Sequence, residues 1–222
     1  GLGARLSSIN GGNKHNAIPR ECEAALMIPA PKMGSAQKIV ADLNSEIRAE
    51  LAAVEPDLCI SLSETKARKK LKVMRKAEQR RILQTISALP HGVIKMSAEI
   101  AGLVETSTNV AAIRTTKGCV KIVTSQRSSV ASEIQDIVDT VSSIFLLGRA
   151  LVQNTDGYPG WKPNMDSPVL KLATSAYRSL YGKDPEVKAI HAGLECGIIG
   201  ERVPGMDMVS FGPTLEGVHS PD

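Results

Sequence analysis

Aromatic residues are scarce in this 222-residue chain: one Trp, three Tyr and two Phe, 3% in all. A core must therefore be built from Ala, Val, Ile, Leu and Met, and ring stacking is excluded as a general way of holding ligands. The four cysteines, Cys22, Cys59, Cys119 and Cys196, are far apart and form no C-x-x-C pair. That excludes a local zinc ribbon or a thioredoxin-like motif. Nothing suggests a disulfide framework, so a reducing, cytoplasmic setting is expected. No stretch approaches the ~18 consecutive apolar residues of a membrane helix. The first residues lack the apolar segment of a secretory signal. Neither sign of charge dominates: 27 basic and 23 acidic residues give a formal +4, too mild to imply nucleic acid. Also missing are a Gly-rich phosphate loop, a nucleophile elbow and an H-E-x-x-H pair.

What is present is an ordinary globular composition, 42% hydrophobic and 23% charged, enough for one large domain or two modest ones. The chain has no initiator Met and stops at the turn-like His219-Ser220-Pro221-Asp222; both ends read as cut, and a fragment is expected.

Short apolar or alternating runs at 4–9 and 21–28 flank a loop of turn residues, Asn10 to Pro19, and read as strands. Ile39, Leu43, Ile47, Leu51 and Val54 recur at helical spacing, which predicts a helix over 33–55 with Ser35 as its cap. Residues 58–62 suit a short strand. Residues 64–89 read as a second helix, closed by Pro90 and Gly92. Val, Ile and Thr dominate 106–115 and 119–126 around Lys117-Gly118, the pattern of a hairpin. A third helix is predicted over 130–147, with Val130, Ile134, Ile137, Val141, Ile144 and Phe145 on one face. Residues 154–168, rich in Gly and Pro, mark a boundary. A helix over 168–181 follows, capped by Ser167 with Pro168 in its first turn. Strands are predicted at 186–191 and 206–211. Val187, Ile190, Met208 and Val209 are expected on an exposed or partner-covered sheet edge. This order points to an α/β (α+β) fold, with a mostly antiparallel sheet covered by helices followed by an incomplete α/β piece.

Several residues have a functional reading beside an ordinary one. Lys66, Arg68, Lys69, Lys70, Lys72, Arg75, Lys76, Arg80 and Arg81 crowd the second predicted helix. They are either a phosphate-binding face or a solvated surface. Arg127 ends a predicted strand, where its guanidinium could fork onto a carboxylate or simply join a surface ion pair. Asn16 could contact a ligand from the Gly-Gly loop or stabilise its turn. His219 follows a predicted strand, a place where an imidazole could bind metal or merely hydrogen-bond. Gly193 lies in His191-Ala192-Gly193-Leu194-Glu195-Cys196-Gly197, where glycine permits close backbone approach to a ligand or a tight turn.

Several blocks, in order, resemble one family. They are Asn10-Gly11-Gly12, Asn16-Ala17-Ile18-Pro19-Arg20-Glu21, Pro90-His91-Gly92-Val93-Ile94 and Val104-Glu105-Thr106-Ser107-Thr108-Asn109. Tyr158-Pro159-Gly160-Trp161-Lys162-Pro163, the His191 to Gly197 segment and Met206-Asp207-Met208-Val209-Ser210 through His219-Ser220-Pro221-Asp222 complete the set. Together they are similar to the aminoacyl-histidine dipeptidases (Xaa-His dipeptidases). The resemblance implies a metal-dependent dipeptidase whose catalytic domain holds two zinc ions and carries an inserted lid, commonly a dimerisation domain. It implies residues 1–152 as most of the lid and 153–222 as the returning part of the catalytic domain. It makes His219 a zinc ligand. Arg127 and Asn16 become substrate contacts, with Gly193 and Glu195 as further substrate-pocket residues. No catalytic residue is assigned, because the family's His-x-Asp motif, its Glu-Glu pair and an early Gly-Gly-His-Ser-Gly motif are missing from this chain. The chain alone is therefore expected to be inactive. The implied partners are a dipeptide substrate and a second copy, not nucleic acid or membrane. The rival reading is a non-enzymatic module that binds nucleic acid or protein through 64–89.

Overall fold

The structure is a computed structural model. It describes residues 2–65, 72–98, 100–155, 157, 160–161, 164–187 and 195–212. These form β1 (Arg5–Gly11), β2 (Cys22–Met27), a 3-10 turn at Ala30–Lys32, α1 (Met33–Leu51) and α2 (Lys76–Ala88). Then come β3 (Gly92–Met96), β4 (Val104–Thr116), β5 (Cys119–Ser128), α3 (Ala131–Leu147), α4 (Pro168–Tyr181) and α5 (Glu195–Arg202). The strands follow the order β2-β1-β4-β3, with β5 also on β4. β1 pairs antiparallel with β2 and with β4, and β3 pairs antiparallel with β4. The fold is the expected α+β mixture of helices and antiparallel sheet.

The chain divides into two compact units, each assembled from three stretches of sequence. The first holds residues 1–11, 20–83 and 113–121. Here β1 pairs with β2 from Arg5↔Met27 to Gly11↔Cys22, and the end of β4 joins it at Asn10↔Arg114 and Gly11↔Ile113. Leu6, Ala36 and Ile113 are buried. Residues 72–74 lie along β1, not in a helix. The Met74 N–H donates to the Leu6 carbonyl at 2.8 Å, the Ser7 hydroxyl to the Lys72 carbonyl at 2.7 Å, and Arg5 to the Met74 carbonyl. Of the helix expected over 64–89, the described residues are helical from Lys76 onward. Tertiary hydrogen bonds to β1 hold 72–74 in another conformation. Residues 66–71, with Lys66, Arg68, Lys69 and Lys70, lie outside the described residues. No strand forms at 58–62; the Ile60 N–H is taken at 2.6 Å by the Asn44 side chain. α1 starts two residues before Ser35, without a side-chain cap.

The second unit holds residues 12–19, 84–112 and 122–222. Its core is Leu89, Ile137 and Val141, packed with Val110, Ile122, Ile134, Ile144 and Phe145. The stripe predicted for the third helix is the one that packs. The β4–β5 hairpin, whose tip belongs to the first unit, turns at Lys117-Gly118, where Gly118 has φ +89°, a conformation that suits glycine. α4 starts as expected: the Leu170 N–H donates to the Ser167 hydroxyl at 3.0 Å, and Pro168 opens the first turn. The segment 206–211 is not a strand. Instead, the Asp207 carboxylate accepts the Val169 N–H at 2.9 Å and gives α4 a second cap. Val187 is 42% exposed, and Met208 and Val209 are half-buried, none of them in a strand; Ile190 lies outside the described residues. β3 and α5 are elements the periodicity did not disclose.

Candidate functional site

The β4–β5 ribbon of the second unit has two chemically different faces. The Thr106 and Ser128 hydroxyls meet at 3.0 Å, and the Gln126 side chain donates to Thr108 Oγ1 at 3.2 Å. The Ser129 N–H donates to the Glu105 carbonyl at 3.2 Å. These three bonds fix one register, in which Ser107 stands opposite Arg127. Directly opposed residues of neighbouring strands share a face, and alternate residues along a strand return to it. One face therefore carries Thr106, Thr108, Gln126 and Ser128, in line with Val110 and Ile122 of the helix-covered core. The other carries Ser107, Asn109 and Arg127. Thr106 and Thr108 are buried, and their hydroxyls are satisfied by these cross-strand partners.

The loop 12–19 is fastened to β4. Its first residue, Gly12, has φ +65°, and a Cβ there would collide with the Ala111 carbonyl oxygen. Near its far end, the Asn109 amide donates to the Ala17 carbonyl at 2.8 Å. Asn16, the residue before that carbonyl, is half-buried in the turn, whereas Asn13, Lys14 and His15 are exposed. The structure thus puts two predicted site residues on one side of the ribbon: Asn16 in a loop tethered by Asn109, and Arg127 on the Asn109 face. Gly160 closes in from another direction; a Cβ on it would approach the Ser128 carbonyl oxygen to 2.8 Å.

At the edge of the ribbon, Lys95 of β3 lies 2.5 Å from Glu133 and 3.4 Å from Glu105. The bond to Glu133 raises the affinity of the Lys95 amine for its proton, and Glu105 adds to this. Glu195 is exposed at the start of α5, a position where a carboxylate also favours the helix dipole. Gly193 and His219 lie outside the described residues. Among the described residues no group of three or more His, Cys, Asp or Glu could hold a metal ion, so they do not by themselves make the expected zinc centre. No helix is long and apolar enough to cross a membrane among them. An open cavity of about 300 Å³ beside α4, lined in part by Leu170, Thr174, Arg178 and Val187, contains none of the predicted site residues.

Sequence reasoning gave Asn109 no role of its own. A signal was there: asparagine is depleted in strands, yet this one lies in the middle of a strand rich in Val and Thr.

Comparison with known proteins completes the picture. Residues 1–55 match the M20-type peptidase dimerisation domain. The chain is 38% identical over 221 residues to a cytosol non-specific dipeptidase of Escherichia coli (strain K12), covering all of this chain and 45% of that protein. It superposes with a TM-score of 0.84 on the aminoacylhistidine dipeptidase of Vibrio alginolyticus, at 35% identity, over 97% of this chain and 44% of that one. The resemblance drawn from the motifs is borne out, and the chain spans less than half the length of either relative.

Proposed function

We propose that this chain is part of a metal-dependent dipeptidase that hydrolyses Xaa-His dipeptides, a cytoplasmic enzyme that works as a homodimer. Residues 1–152 are its lid and dimerisation part, and 153–222 are the returning part of its catalytic domain. The observation that carries the reading is the shared face: Asn109 holds the Asn16 loop on the side of the β4–β5 ribbon that also presents Arg127. An arginine fork matches the geometry of a carboxylate, the group at the end of every dipeptide. An asparagine amide beside it offers both a donor and an acceptor to a peptide unit. Arg127 anchors the substrate's terminal carboxylate, and Asn16 orients its backbone. Gly193 and Glu195 belong to the same substrate pocket.

His219 is one ligand of a zinc pair whose remaining ligands, with the catalytic base, belong to the rest of the enzyme. When bound, such metals polarise a carbonyl and acidify water. The residues of this chain bind and orient the substrate. The isolated chain is accordingly inactive.

The test is an assay of the full-length enzyme on Xaa-His dipeptides with and without a chelator. Hydrolysis that the chelator abolishes is expected; its absence ends the proposal. Tight, salt-sensitive nucleic-acid binding would instead favour the basic segment 64–89 as the working surface.

A further inference from the structure

We infer that Asn109 is a positioning residue for substrate binding: by holding the Ala17 carbonyl it fixes the loop that presents Asn16. The inference rests on the reading of Asn16 as a substrate contact. Only one peptide unit separates the tether from Asn16, so the bond governs where that side chain points. The amide orientation is set by chemistry, since turning it over would place oxygen against the Ala17 oxygen. The other end of the amide tells the same story. Asn109 Oδ1 is buried and meets no donor among the described residues. That oxygen gives the sheet no bond among the described residues, while the amide's donor goes to the loop. The second anchor, Gly12 against the Ala111 carbonyl, is two residues further along the same strand. With both in place, the exposed tip at 13–15 is bracketed and Asn16 is held at its base. Without Asn109, the Gly12 anchor remains at one end and Asn16 is no longer fixed.

The experiment uses the full-length enzyme and the variant Asn109→Leu, which keeps the size and removes both the donor and the acceptor. The change leaves the half-buried Ala17 carbonyl to find water while removing a buried oxygen that has no donor among the described residues; the two effects oppose each other, so the melting temperature should change little. KM should rise at least about tenfold while kcat changes less, the pattern of lost binding, because a misplaced positioning group is costly. Amide exchange over 13–18 should quicken. Asn16→Ala should raise KM as well, and the double variant should be no worse than Asn16→Ala alone. Asn109→Gln, which retains the donor, should recover part of the loss. If Asn109→Leu does not fold, Asn109→Ala removes the same donor without adding a charge and is read in the same way. An unchanged KM in the Asn109 variants beside an impaired Asn16→Ala overturns the inference. An unimpaired Asn16→Ala overturns the underlying reading of the site.

Discussion

A Cβ on Gly148, just after α3, would collide with the Thr85 hydroxyl of α2. Thr85 is itself buried, so it has little room to give way. Gly148→Ala should therefore cost about 1–3 kcal/mol, the usual scale of overpacking. Thr85→Ala in the same molecule should return much of that loss, because it removes the obstructing atom. A double-mutant cycle by denaturant unfolding measures the coupling, and additive losses would contradict it. Arg127 is the residue with the sharpest functional expectation. Arg127→Ala should weaken substrate binding by ~2–5 kcal/mol if the charge pair with the substrate carboxylate is desolvated. Steady-state kinetics of the full-length enzyme decide this; unchanged constants would remove Arg127 from the site. Single residues were unevenly legible. Asn16 and Arg127 stood out because loops and strand ends are common places for binding groups. The service Asn109 renders could not be read from spacing, since its partner lies 92 positions away.

Among the elements, legibility followed how far local chemistry was left to itself. α3 and α4 form where periodicity and the Ser167 cap placed them. The hairpin forms around its Gly118 turn. The predicted helix over 64–89 and strand at 58–62 failed where backbone groups found partners remote in sequence: Leu6 for Met74, and Asn44 for Ile60. Residues 206–211 failed as a strand for a related reason, since Asp207 is spent on α4. That carboxylate carries a pH dependence. The Ser167 hydroxyl foremost, then the Val169 and Met208 N–H groups, hold its pKa below the ordinary 3.8. A depressed carboxylate stabilises the fold above its unfolded pKa, and the benefit is lost as pH falls through the folded value. Protection of the Val169 amide, corrected for intrinsic exchange, should thus decline as pH drops below about 4. In Asp207→Asn this acid response should vanish. Equal pH profiles for the two proteins would contradict the cap.

For the molecule as a whole, the matched dimerisation region 1–55 carries exposed apolar side chains. β2 exposes Leu26 by 42% and Met27 by 44%, and α1 exposes Ile39 by 52% and Leu43 by 43%. An exposed strand with apolar side chains is a template for pairing with another chain. The full-length enzyme should therefore sediment as a dimer, and Leu26→Lys with Ile39→Lys should shift it toward monomer. A wild-type monomer, or a variant that dimerises as before, would refute this use of the surface.

The chain passes between its two compact units five times, at 11/12, 19/20, 83/84, 112/113 and 121/122. The crossing at 112/113 falls inside β4, and the one at 83/84 inside α2. No pair of cloning boundaries can excise either unit, because each is spelled out in three separate passages of the gene. Only a rearranged gene that splices those passages together could encode one without the other. A codon inserted between Ala112 and Ile113 would be felt by both.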